Sequence, residues 1–152
     1  MSEHKVSLEE MLPLIQERLA AGQDVRFTPR GISMQPMLRN GRDVVVLSPV
    51  KGSLSKYDLP LYRREDGQFV LHRVVAVGKD GYTCIGDNQF VLEPGIKQEQ
   101  VIAIMSAFIR NVHERSASDL SYKIYCRVWH WSRPVRHLWR RGLSWIRRNI
   151  LK

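Results

Sequence analysis

From Asp24 to about residue 112 the apolar stretches are short, and the residues between them are turn formers. Val25 and Phe27, then 44–47, 59–62, 69–77, 82–85 and 101–108 are rich in β-branched and aromatic residues. Asn40-Gly41, Gly67 and Lys79-Asp80-Gly81 separate several of them, and Lys79-Asp80-Gly81 reads as a hairpin turn. Helices need longer periodic segments than these, so the pattern predicts a mainly β, mostly antiparallel domain over 24–112.

The flanks differ from this middle. Leu8, Met11, Leu12, Ile15 and Leu19 recur at helical spacing, with Glu9 and Glu10 suited to a first turn, Ser7 to its cap and Gly22 to its stop. This predicts a helix over 7–21 in an N-terminal segment, 1–23. It is too solitary for a helix-turn-helix, which packs two helices. At the other end, residues 120–152 carry nine Lys and Arg and no Asp or Glu, whereas residues 1–119 balance to zero. The net charge of +9 therefore belongs to residues 120–152, within a tail, 113–152, on a neutral domain. Ser116-Ala117-Ser118-Asp119 reads as linker and cap. Ile124, Val128, Trp131, Val135, Leu138, Ile146 and Ile150 then recur every three to four residues, with arginines between them and Trp129, Trp131, Trp139 and Trp145 near the border. Pro134 breaks the run and Ser132 can cap a new start, so two basic amphipathic helices are expected.

Cys84 and Cys126 make no disulfide framework, which favours a reducing compartment. No apolar run reaches the roughly 18 residues of a membrane span, and the first residues lack the basic start and apolar middle of a secretory signal. The expectation is a cytoplasmic protein, soluble or peripheral on the inner face of a membrane.

Candidate chemistry begins at Arg30-Gly31-Ile32-Ser33-Met34-Gln35-Pro36-Met37-Leu38. A serine between glycine and proline is a turn residue or a nucleophile, and a nucleophilic hydroxyl needs a neighbouring base. Of the five histidines only His72 lies inside the β region, in Val70-Leu71-His72-Arg73-Val74-Val75. As one strand, that run puts Leu71, Arg73 and Val75 on one face and His72 and Val74 on the other. Gly86-Asp87-Asn88 follows one strand later, where a carboxylate can orient the imidazole; it is equally ordinary turn chemistry. Glu93 is a second candidate for that acid, or a solvated residue ahead of Pro94-Gly95.

Gly31-x-Ser33-Met34-x-Pro36-x-Leu38, Leu71-His72-Arg73-Val74-Val75 and Gly86-Asp87-Asn88, in that order, resemble the signal peptidase I and SOS-repressor autoprotease superfamily over roughly 25–110. Bacterial secretory members have a lysine base where His72 stands; histidine there is similar to the endoplasmic-reticulum, archaeal and spore-former type. The resemblance implies a β-rich catalytic domain built of coiled antiparallel sheets, and a serine endopeptidase with Ser33 as nucleophile, His72 as general base and an acid at Asp87 or Glu93. It places Gly31, Met34 and Pro36 around the substrate and the oxyanion. It implies neither metal nor cofactor, and a peptide or protein substrate with small residues before the cleaved bond. Gly31 replaces the serine usual in secretory members, which leaves backbone N–H groups as oxyanion donors, and Tyr57-Asp58 replaces a usual Gly-Asp. The secretory members' N-terminal anchor is not expected here.

Two rival readings accompany this one: a silent peptide-binding relative of the same fold, and a self-cleaving regulator, for which residues 1–23 offer neither a DNA reader nor a cleavable linker. For the tail, an anionic membrane surface and simple packing on the domain are the leading readings, ahead of nucleic acid.

Overall fold

The computed structural model describes residues 8–149; Ser7, Ile150 and Leu151 lie outside them. Helix α1 (Leu8–Ala20) buries Ile15 and Leu19 and rests Leu8 and Met11 on the same core. It stops at Gly22, whose φ of 74° lets Gln23 N–H reach back to Arg18 O at 2.9 Å.

In chain order the strands are β1 (Val25–Phe27), β2 (Val44–Ser48), β3 (Pro60–Arg63), β4 (Phe69–Leu71), β5 (Arg73–Gly78), β6 (Gly81–Ile85), β7 (Glu93–Ile96), β8 (Val101–Arg110) and β9 (His113–Ser116). The described chain is thus mostly β, in antiparallel sheets, with three helices. One sheet runs β1-β2-β8-β3-β4. Its organiser is β8, where alternate residues Ala103, Met105 and Ala107 are buried at the period of a pleated strand. β9 pairs with β8 from Ala107↔Ser116 to Arg110↔His113, so the sheet continues past residue 112. The other sheet is β5-β6-β7, its first hairpin closing at Gly78↔Gly81 as Lys79-Asp80-Gly81 predicts.

The 69–77 stretch is not the single strand expected. It divides at His72: Leu71 pairs with Leu61 in the first sheet, and Arg73 pairs with Ile85 in the second. The period-two face assignment does not carry across that joint. Leu71 enters the main core with Leu47, Leu61 and Met105, whereas Val74 enters a smaller core with Tyr62, Cys84 and Ile96. β7 also differs from the expected loop. Only Ile96 of its four residues is buried, so no apolar alternation announces it.

The tail forms α2 (Leu120–Trp131) and α3 (Arg133–Asn149), with Ser132 at the joint and Pro134 in the first turn of α3, where a missing N–H costs nothing. Tyr122 and Cys126 bury one face of α2 in the main core. Neither proposed cap works through its side chain. The Asp119 carboxylate accepts from Ser116 N–H, and the Ser132 hydroxyl accepts from Arg136 Nε. No helix among the described residues is long and apolar enough to cross a membrane.

Candidate active site

His72 occupies the joint between the two sheets and is 2% exposed. Its Nδ1 lies 3.0 Å from Glu93 Oε1 and 3.4 Å from the Tyr62 hydroxyl. A carboxylate accepts only, so Nδ1 carries the proton and Nε2 keeps its lone pair, the tautomer of a base. Glu93 reaches this point because β7 pairs with β6 and sets Glu93 opposite Cys84. Its carboxylate is held further by Tyr62 Oη at 2.9 Å, Arg64 Nε at 2.9 Å and Arg64 Nη2.

The electrostatics follow from that packing. Burial pushes the Glu93 carboxyl up, but hydrogen bonds from Arg64 and Tyr62 and the nearby imidazole outweigh it, leaving Glu93 more acidic than usual. Burial lowers the His72 pKa, and Glu93 only partly restores it against the Arg64 charge. The imidazole is therefore neutral around neutral pH, ready to accept a proton.

Ser33 sits in the turn 31–38. Asp43, with no exposed surface, anchors the end of that turn by accepting from the Arg39 backbone N–H and from the Arg39 and Arg110 guanidinium groups. Desolvation of Asp43 opposes its ionisation; those hydrogen bonds prevail and hold its pKa below the ordinary value. Arg110, on β8, also donates to the carbonyls of Pro36 and Met37. Gly31 N–H donates to Asn40 Oδ1 at 2.9 Å, so it is not a free oxyanion donor, and Pro36 has no N–H to offer. Met34 is buried at the base of the turn.

The turn meets the loop after β6 closely. Asn88 N–H donates to Ser33 O at 2.8 Å, and Asn88 Nδ2 donates to Ile32 O at 3.1 Å. A Cβ on Gly86 would lie 2.7 Å from Ser33 O, so glycine is required there for the approach.

Gly31, Ser33, Met34, Leu71 and His72 line one cavity of about 250 Å³, with β4 along its side. Ser33 and His72 line the same cavity without a hydrogen bond between them among the described residues.

Asp87 is placed elsewhere. Arg73 Nε and Nη2 each donate to its carboxylate at 2.8 Å, and Tyr125 Oη donates to it at 2.9 Å. Arg73, 2% exposed, also donates to Tyr122 Oη and Cys126 Sγ on α2. Asp87 O accepts from Trp129 Nε1 and Arg136. Of the two candidate acids, Glu93 therefore touches the imidazole, and Asp87 pairs with Arg73 to clamp α2 against the loop that holds Ser33. The break at His72 between β4 and β5 is the cause, since it sends Arg73 towards α2.

Sequence reasoning did not single out Tyr62, Arg64, Arg39, Asp43 or Arg110. Tyr62 on β3 and Arg64 just past its end stand two apart, a period-two signal that they share a side. Nothing local connects Asp43 with Arg110. Among the described residues no group of His, Cys, Asp and Glu is arranged to hold a metal. No family model, no curated protein and no solved structure matches the chain.

Proposed function

We propose that the protein is a serine endopeptidase of signal-peptidase-like type, acting through Ser33, His72 and Glu93. The observation that carries this reading is the buried His72, its Nδ1 beside Glu93 and its Nε2 without a hydrogen bond among the described residues, in the cavity that also holds Ser33. His72 Nε2 takes the Ser33 proton as Oγ attacks the scissile carbonyl carbon. The tetrahedral adduct collapses to an acyl-enzyme, and the same imidazole returns the proton to the departing amine. Water, deprotonated by Nε2, then hydrolyses the ester. The backbone N–H groups of Ser33 and Met34, which find no acceptor among the described residues, serve the oxyanion. Nucleophile–base contacts are often loose without substrate, and here they close when a peptide enters.

β4 is the last strand of its sheet and lines the cavity, so an extended peptide can add to its edge with one short side chain in the cavity. Free, buried Cys84 and Cys126 accord with work on the cytoplasmic side, peripheral to the inner face of a membrane.

The test is cleavage of a quenched peptide library with small residues before the scissile bond, read with intact-mass detection of an acylated Ser33. Ser33→Ala and His72→Ala are expected to abolish turnover; a Ser33→Ala protein that cleaves as well as the parent overturns the proposal. The missing Ser33–His72 hydrogen bond favours one rival, a peptide-binding module of the same fold. Substrate bound tightly by both the parent and Ser33→Ala, and recovered whole from each, would establish that rival.

A further inference from the structure

Helix α3 is mounted the wrong way round for a globular protein. At about 100° per residue, Val135, Leu138, Trp139, Leu143 and Trp145 fall on one side and Arg136, His137, Arg140, Arg141 and Arg147 on the other. The middle of the polar side, Arg136, His137 and Arg140, faces the body. Arg136 donates to Asp87 O and lies over the Trp129 ring at 3.7 Å. His137 stacks on Phe90 with centroids 4.8 Å apart, and Arg140 donates to Asn88. The apolar side faces out, with Val135 69%, Leu138 70% and Trp139 70% exposed.

Helix α2 repeats the arrangement. Its inner face carries Tyr122 and Cys126, yet Leu120, Ile124, Val128 and Trp131 on the opposite side are all more than half exposed. Two consecutive helices thus present apolar stripes to the outside, in a segment with nine cations and no anion.

We propose that α2 and α3 dock the protein on an anionic lipid surface. The aliphatic and indole side chains enter the boundary between headgroups and acyl chains, and exposed cations such as Arg141 and Arg147 meet the lipid phosphates. Charge complementarity selects this occupant. Phosphate backbones of nucleic acid would answer the arginines but leave Val135, Leu138 and Leu143 in water. A second copy of the chain would bring its own nine cations against these. The inference does not depend on catalysis: docking requires neither Ser33 nor His72.

The full chain is mixed with vesicles of phosphatidylcholine alone, or with about one third phosphatidylglycerol, and floated at near-physiological salt. Expected is at least about tenfold more protein on the anionic vesicles, with a blue shift in tryptophan emission. Leu138→Glu with Trp145→Glu, both on the outward face, is expected to keep the parent's circular dichroism and lose most binding. Lack of enrichment on anionic vesicles overturns the proposal, as does full binding by the folded double variant. So does a dimer by sedimentation equilibrium that the double variant converts to monomer, since the stripe is then covered by another copy.

Discussion

Replacing Asp87 by asparagine separates the two carboxylates most sharply. The substitution keeps the side chain's size and leaves the Asp87 carbonyl, with its bonds from Trp129 and Arg136, in place. What disappears is the charge facing Arg73, a guanidinium 2% exposed with both of its carboxylate bonds at 2.8 Å. Burial alone would lower the Arg73 pKa; the Asp87 charge and hydrogen bonds raise it well above the ordinary value. An unpaired buried charge of this kind costs about 3–5 kcal/mol, against a total stability on the order of 5–15 kcal/mol. For a chain of this size that is a fall of about 6–20 °C in Tm. Thermal and urea unfolding followed by circular dichroism measure it. Arg73→Met with Asp87→Leu removes both charges and should unfold less readily than Asp87→Asn, because two apolar side chains need no partner. If Asp87→Asn melts within about 1 kcal/mol of the parent and loses peptide cleavage, Asp87 serves catalysis and this assignment fails.

Glu93→Gln should lower kcat/KM for a cleaved peptide by about 10²- to 10⁴-fold while leaving the circular dichroism unchanged. The acid limb of the parent's kcat/KM profile should fall below the ordinary imidazole value of 6.5, because burial depresses the His72 pKa. Glu93 raises that pKa, so Glu93→Gln should move the limb to lower pH still; movement to higher pH would contradict the contact. Gly86→Ala should cost about 1–3 kcal/mol in urea unfolding, since the added methyl sits 2.7 Å from Ser33 O. It should also lower kcat by about tenfold or more as the Ser33 turn shifts; equal kcat would mean that the contact positions nothing.

Patterns confined to a few neighbouring residues were readable before any coordinates. Ile15 and Leu19 at helical spacing, Gly22 at the stop and Lys79-Asp80-Gly81 at a two-residue turn each act through local geometry. So does the division of charge, which is a property of the chain and not of its folding. Strands without an apolar period were not readable: β7 contributes one buried residue, and β9 is exposed along most of its length. The continuous stretch 69–77 concealed its own break, because every residue from Val70 to Val75 is buried, His72 and Arg73 included, and no alternation marks where one strand ends and the next begins.

The amino-acid order by itself determined a β domain between two helical flanks, a serine in a glycine–proline turn, one histidine within residues 24–112 and two carboxylates near enough along the chain to meet it. Only the tertiary structure decided which carboxylate the imidazole meets. It did so by joining two sheets at His72, so that adjacent side chains diverge: His72 towards Glu93, Arg73 towards Asp87 and α2. Likewise, helical periodicity determined that α3 has an apolar side, but the bonds from Arg136 and Arg140 to the Asp87–Asn88 loop turned that side outward. Periodicity acts between neighbours on one element; orientation depends on what distant segments offer to bind.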